Sequence, residues 1–102
     1  MLLDKLLVIY YVQIWPDRIR VRDARGEGFF DQKPLVAFEL RAGKGSGKPA
    51  RSRILAVGNA AAMAAGENVE IINPFLHPRS PVSDFMAAEV LLQRIFRSLA
   101  GN

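Results

Sequence analysis

Residue types able to do chemistry crowd the stretch Arg41 to Arg53, RAGKGSGKPARSR, which holds the basic side chains Arg41, Lys44, Lys48, Arg51 and Arg53. Within it, Ala42 to Pro49 comes close to a phosphate-binding loop. Such a loop ends in Gly-Lys followed by Ser or Thr, because the hydroxyl holds the magnesium ion that accompanies the phosphates. Here Gly47-Lys48 is followed by Pro49, which has neither a hydroxyl nor a backbone N–H. A phosphate loop also opens directly into a helix, whereas Arg51 to Val57 reads as strand. The stretch is therefore read as a flexible basic loop and not as a phosphate loop.

The remaining candidates are weaker. His77 is the single histidine, and no second histidine or carboxylate stands at metal-ligand spacing from it. It reads as a turn residue. Asp84 and Glu89 fall on the last predicted helix, roughly 140° apart around its axis. They do not converge on one substrate atom, so paired-carboxylate catalysis is not expected. Ser80 and Ser83 lack a nucleophile-elbow context. Cysteine is absent, which removes thiolate chemistry and cysteine zinc sites and fits a cytoplasmic protein. No catalytic residue, metal ligand or cofactor is expected.

The elements that would position these groups follow from periodicity. Leu2 to Trp15 is apolar at alternate positions in both phases, which predicts a strand covered on both faces, with Tyr10, Tyr11 and Trp15 buried. Pro16-Asp17 predicts a turn, and Ile19 to Asp23 alternates apolar and charged residues, so the two runs should form a hairpin. A turn at Ala24 to Gly28 leads to Phe29, Phe30 and a break at Pro34. Strands are expected at Leu35 to Leu40, Ile54 to Val57 and Val69 to Ile72. Asn59 should cap a short alanine-rich helix from Ala60 to Ala65, ended by Gly66. After Pro74, Pro78 and Pro81, Ser83 should cap the long helix, with Asp84 in its first turn and Arg94 and Arg97 near its end. Phe85, Ala88, Leu92, Ile95, Phe96 and Leu99 mark its buried stripe, and Gly101-Asn102 should close the chain just past it.

With 102 residues, half of them hydrophobic, the chain has room for one small domain with a real core. The expected fold is α+β: residues 1–102 as a single small domain, with a mostly antiparallel or mixed sheet packed by one long C-terminal helix and one short helix. No apolar run reaches the roughly 20 residues a spanning helix needs. The start, Met1 to Leu7, lacks the basic segment of a signal peptide and is too short to anchor the chain to a membrane alone. It leaves room for peripheral contact with the inner membrane. The net charge of +4 is compatible with nucleic acid or anionic lipid. Along the chain, however, aromatic residues are not interleaved with basic ones, so nucleic acid is not the expected partner.

Ile54-Leu55-Ala56-Val57-Gly58-Asn59-Ala60-Ala61, then Asn73-Pro74, Val82-Ser83-Asp84-Phe85, Glu89 and Leu92, resemble the bacterial actin homologue MreB, the rod shape-determining family. Pro34 to Phe38 resembles that family's Pro-Ser-Val-Val-Ala segment at the same distance upstream. The likeness runs from about Pro34 to Leu99, with weaker correspondence in the first hairpin. It implies the first lobe of an actin-like ATPase fold, subdomains IA and IB. The family's first phosphate loop, Asp-Leu-Gly-Thr, falls at about Tyr11-Val12-Gln13-Ile14, where its carboxylate, its glycine and its threonine hydroxyl are all missing. Ser80-Pro81 replaces the family's glycine before the Val/Ile-x-Asp-Phe step. The family's other catalytic elements lie beyond the length of this chain.

The resemblance therefore implies a non-enzymatic protein acting by protein–protein association in the cell-shape cytoskeleton. Its partner would be a second copy or a full-length actin-like filament protein. Two alternatives stay open: a basic module that binds nucleic acid or anionic lipid through Arg41, Lys44, Lys48, Arg51 and Arg53, or a degenerate nucleotide-binding protein with weak ATP affinity.

Overall fold

In the computed structural model, residues 9–26, 29–43, 47–76 and 82–100 are described. The expectations for Met1 to Leu7, Lys44, His77, Ser80, Pro81 and Gly101-Asn102 lie outside these residues. Six strands and two helices follow in order: β1 (Tyr10–Trp15), β2 (Arg18–Asp23), β3 (Phe29–Gln32), β4 (Val36–Arg41), β5 (Ala50–Val57), α1 (Asn59–Ala62), β6 (Val69–Ile72) and α2 (Phe85–Ala100). They build a small α+β domain with two antiparallel three-stranded sheets, ordered β1-β2-β3 and β5-β4-β6. The single sheet expected from the sequence is thus divided. The division falls at Lys33-Pro34-Leu35, where Pro34 lacks the N–H that a continuous ladder would need.

The first hairpin pairs as its turn dictates, with Ile14 opposite Ile19 and Trp15 opposite Arg18 across Pro16-Asp17. β3 then adds to β2, Val21 facing Phe30. The sequence does not predict this strand, because Phe29-Phe30-Asp31-Gln32 is short and carries no alternation. β4 takes β5 on one side and β6 on the other. β5 starts at Ala50, so the last residues of the expected Arg41 to Arg53 loop belong to the strand read over Arg51 to Val57.

One core serves both sheets. Ile19, Val21 and Phe30 of the first sheet, Val36 and Phe38 of the second, and Phe75 all pack with Ala87, Ala88, Leu91 and Ile95 of α2. Tyr10 stacks on Phe96 with ring centroids 4.8 Å apart. The expected helix stripe holds at Ala88, Leu92, Ile95, Phe96 and Leu99, which are buried or packed against the core, but Phe85 is 77% exposed, and Ala87 and Leu91, absent from it, are fully buried. Positions 84, 87, 88, 91 and 95 share one helical face at i, i+3, i+4 spacing, and Phe85 falls outside it.

The junction between the sheets is held by polar contacts around Gly58. Its φ of 72° is in the left-handed region, and a Cβ there would meet Gln32 Oε1 at 2.2 Å. That same oxygen accepts the Asn59 N–H at 2.8 Å, and Asn59 Oδ1 accepts the Lys33 N–H at 2.9 Å. Asn59 is therefore the first residue of α1 and braces the junction, in place of capping the helix. Gly58 stands at the cap position without a side chain, and α1 stops at Ala62.

Truncation at the two helix positions separates the expected from the observed stripe. Leu91→Ala should cost about 2–5 kcal/mol in urea unfolding. Phe85→Ala should stay within about 0.5 kcal/mol of the parent protein.

Candidate functional site

Of the five basic residues singled out in the sequence, four are described, and two of these are paired with carboxylates. Arg41 ends β4 opposite Ala50 and is exposed, and Lys48 is exposed between β4 and β5. Lys44 lies outside the described residues. Arg53, opposite Glu39, makes an exposed ion pair with it at 3.2 Å. Arg51 turns the other way, toward α2.

That turn comes from the strand register. β5 slips against β4 between Ala37 and Phe38 and again between Glu39 and Leu40, leaving Leu55 and Ser52 as extra residues. In a regular strand, residues three apart point to opposite faces. The slip at Ser52 brings Arg51 to the same face as Ile54, against the helix.

Arg51 then meets acceptors from two other elements. Its Nε donates to Glu70 Oε1 at 2.7 Å and its Nη2 to Asp84 Oδ2 at 2.7 Å. The guanidinium sits 4.3 Å from the centroid of the Phe38 ring, a cation–π contact. A pocket of about 370 Å³ opens alongside, lined by Phe38, Arg51, Ser52, Arg53, Ile54, Met86 and Val90. With one guanidinium between two carboxylates, this corner is net negative, and Arg51 ties β5 to β6 and to the start of α2.

Asp84 has two tasks. Oδ1 accepts the Ala87 N–H at 2.9 Å, so Asp84, and not Ser83, caps α2. Ser83 Oγ instead donates to the Pro74 carbonyl at 3.0 Å. The hydrogen bond from Arg51, joined by that from the Ala87 N–H, holds the Asp84 carboxyl below its usual range despite partial burial.

The exposed apolar surface lies on β1. The sequence predicts a strand covered on both faces with buried aromatics, and the structure overturns this. Tyr10 is half-buried, but Tyr11, Val12, Ile14 and Trp15 are 52%, 40%, 45% and 39% exposed. Among the described residues β1 pairs with β2 alone, so its other edge presents unpaired backbone groups. Beside its C-terminal end, Ile14, Trp15, Pro16, Phe75 and Val82 line a largely apolar pocket of about 290 Å³. The sequence carried half of this signal: β1 has no charged residue and no proline, the usual devices for blunting an edge.

Among the described residues no group of three or more histidine, cysteine, aspartate or glutamate side chains could hold a metal ion. No described helix is long and apolar enough to cross a membrane. Comparison with protein-family models, with curated proteins and with solved structures gives no match.

The sign of the pH effect at Asp84 follows from its lowered folded-state pKa. The pair with Arg51 stabilises fully above the unfolded carboxyl value of about 4, and fades as the pH falls through the lower folded value. Asp84→Asn keeps the cap and loses the charge, so it should cost about 1–3 kcal/mol at pH 7 and flatten the acid limb of the stability curve. Asp84→Ala should cost about 1 kcal/mol more through the lost cap. Urea unfolding between pH 2 and pH 7 measures both.

Proposed function

We propose that this is a non-enzymatic protein that works by associating with another polypeptide chain, and that the free edge of β1 is where it does so. The carrying observation is the character of that edge: six residues, none charged and none proline, five of them exposed. An edge of this kind is a template for strand addition, in which backbone hydrogen bonds supply affinity and alternate side chains supply specificity. The pocket lined by Ile14, Phe75 and Val82 at the end of the strand can take one apolar side chain of the incoming segment.

The resemblance of Pro34 to Leu99 to MreB supports a particular setting. In that reading the chain corresponds to the first lobe of an actin-like fold, whose sheet packs against further polypeptide in the full family, and a partner would cover what is exposed here. The partner is then a second copy or a full-length actin-like filament protein of the cell-shape cytoskeleton. Tyr11-Val12-Gln13-Ile14 favours association over nucleotide hydrolysis, because it offers a phosphate and its magnesium no carboxylate, glycine or serine or threonine hydroxyl.

Light scattering after size exclusion should find a dimer of the wild-type chain, or co-elution with a full-length actin-like protein. Val12→Lys and Ile14→Lys place charges on the half-exposed side of the edge strand and should return the chain to a monomer, with its thermal midpoint within a few degrees of the parent. A wild-type chain that stays monomeric at high concentration and ignores the filament protein overturns the reading.

A further inference from the structure

The outer face of the first sheet, turned away from α2, borders the β1 edge and shares Tyr11 and Trp15 with it, but it presents side chains where the edge presents backbone groups. Strand pairing places Tyr11 opposite Arg22, Gln13 opposite Arg20 and Trp15 opposite Arg18, with Arg20 opposite Asp31 and Arg22 opposite Phe29. Alternation sends Ile19 and Val21 into the core, so Arg18, Arg20 and Arg22 form a row on the other side. Neighbours in that row are roughly 6.8 Å apart, two strand residues. Tyr11 and Trp15 flank the row from β1 and Phe29 flanks it from β3, and these rings are 52%, 39% and 62% exposed.

Charge and ring are in register. The Arg22 guanidinium lies 4.9 Å from the Tyr11 ring centroid, Arg18 and Arg20 lie 5.7 and 5.8 Å from Trp15, and Arg20 lies 6.0 Å from Phe29. Asp31 is the one carboxylate in this register. It pairs with Arg18 and, at 3.3 Å, with Arg20. Arg22 has no carboxylate partner among the described residues. Asp17, in the hairpin turn, also acts electrostatically on Arg18, so three guanidinium groups stand against two carboxylates and the face keeps a positive balance.

We propose that this face binds single-stranded nucleic acid, with phosphates on the Arg18-Arg20-Arg22 row and bases stacked on Tyr11, Trp15 and Phe29. Charge complementarity names the occupant: a polymer that alternates an anionic group with a flat aromatic one fits a surface that alternates cations with rings. An acidic peptide would satisfy the arginines and leave the rings wet, and a duplex keeps its bases stacked on each other. Along the chain the basic and aromatic residues stand apart, which argued against such binding. The hairpin and β3 interleave them across strands. This inference does not rest on the β1 edge, since the edge offers backbone groups and the face offers side chains.

Fluorescence anisotropy with a labelled oligo(dT) or oligo(rU) of about ten nucleotides tests it. Binding should weaken with salt, with a slope of about −2 in log K against log salt for three arginines at about 0.7 per phosphate. Phe29→Ala, exposed and outside the core, should weaken binding at least roughly fivefold. Arg22→Ala should lower the slope by about 0.7. Arg41→Ala and Arg53→Ala, on the second sheet, should leave binding unchanged, and so should the edge variant Val12→Lys. Circular dichroism melts confirm that each variant is folded. Absence of binding at low salt overturns the proposal. So does equal weakening by Arg41→Ala, or equally tight binding to polyglutamate or to phosphatidylglycerol vesicles.

Discussion

Arg51 reaches across the second sheet to the start of α2, and its guanidinium has little water left around it. It is tolerable there because each exposed direction has a partner: the Phe38 ring on its face, Glu70 at one side and Asp84 at the other. A charge removed from water is costly unless it is paired and hydrogen-bonded. The arrangement therefore constrains three elements at once. β5 must slip at Ser52 for Arg51 to face the helix, β6 must present Glu70 across β4, and α2 must begin where Asp84 meets both Arg51 and the Ala87 N–H. Helix initiation and sheet register are held by the same side chains.

The position of α2 then decides which surfaces are dry. A helix with its side chains is roughly 10 Å across, about two strand spacings. One such helix, shared between two sheets, cannot cover six strands. It covers Ile19, Val21 and Phe30 on the first sheet and Val36 and Phe38 on the second. β1 lies outermost, so Val12 and Ile14, on the helix-facing side of the sheet, remain half-exposed despite being apolar. The surfaces available for partners thus follow from how one amphipathic helix is divided between two sheets.

Electrostatics divide the surface in the same way. Basic residues close together in the sequence have different environments in the fold: Arg51 turns inward, Arg53 pairs with Glu39, and Arg41 and Lys48 stay exposed. Basic residues at alternate positions of β2 are gathered into a row and set between rings from neighbouring strands. A positive patch on a sheet depends on strand order and register, and proximity along the chain is a poor guide to it.

The local pattern of the sequence was enough to determine the first hairpin, the strands at Val36–Arg41 and Val69–Ile72, and a long helix ending near Ala100. These depend on turn chemistry and on side-chain period, which neighbouring residues set. Only the tertiary structure decided the rest. It made Phe29–Gln32 a strand by giving it β2 to pair with, and it moved the helix cap from Ser83 to Asp84. It also left Tyr11 and Trp15 exposed in a strand whose two apolar phases could not say which face was covered. The partners of Arg51 lie 19 and 33 residues away, and a one-residue slip at Ser52 selects its face. Burial and charge pairing are set by such distant contacts, and no local window of the sequence contains them.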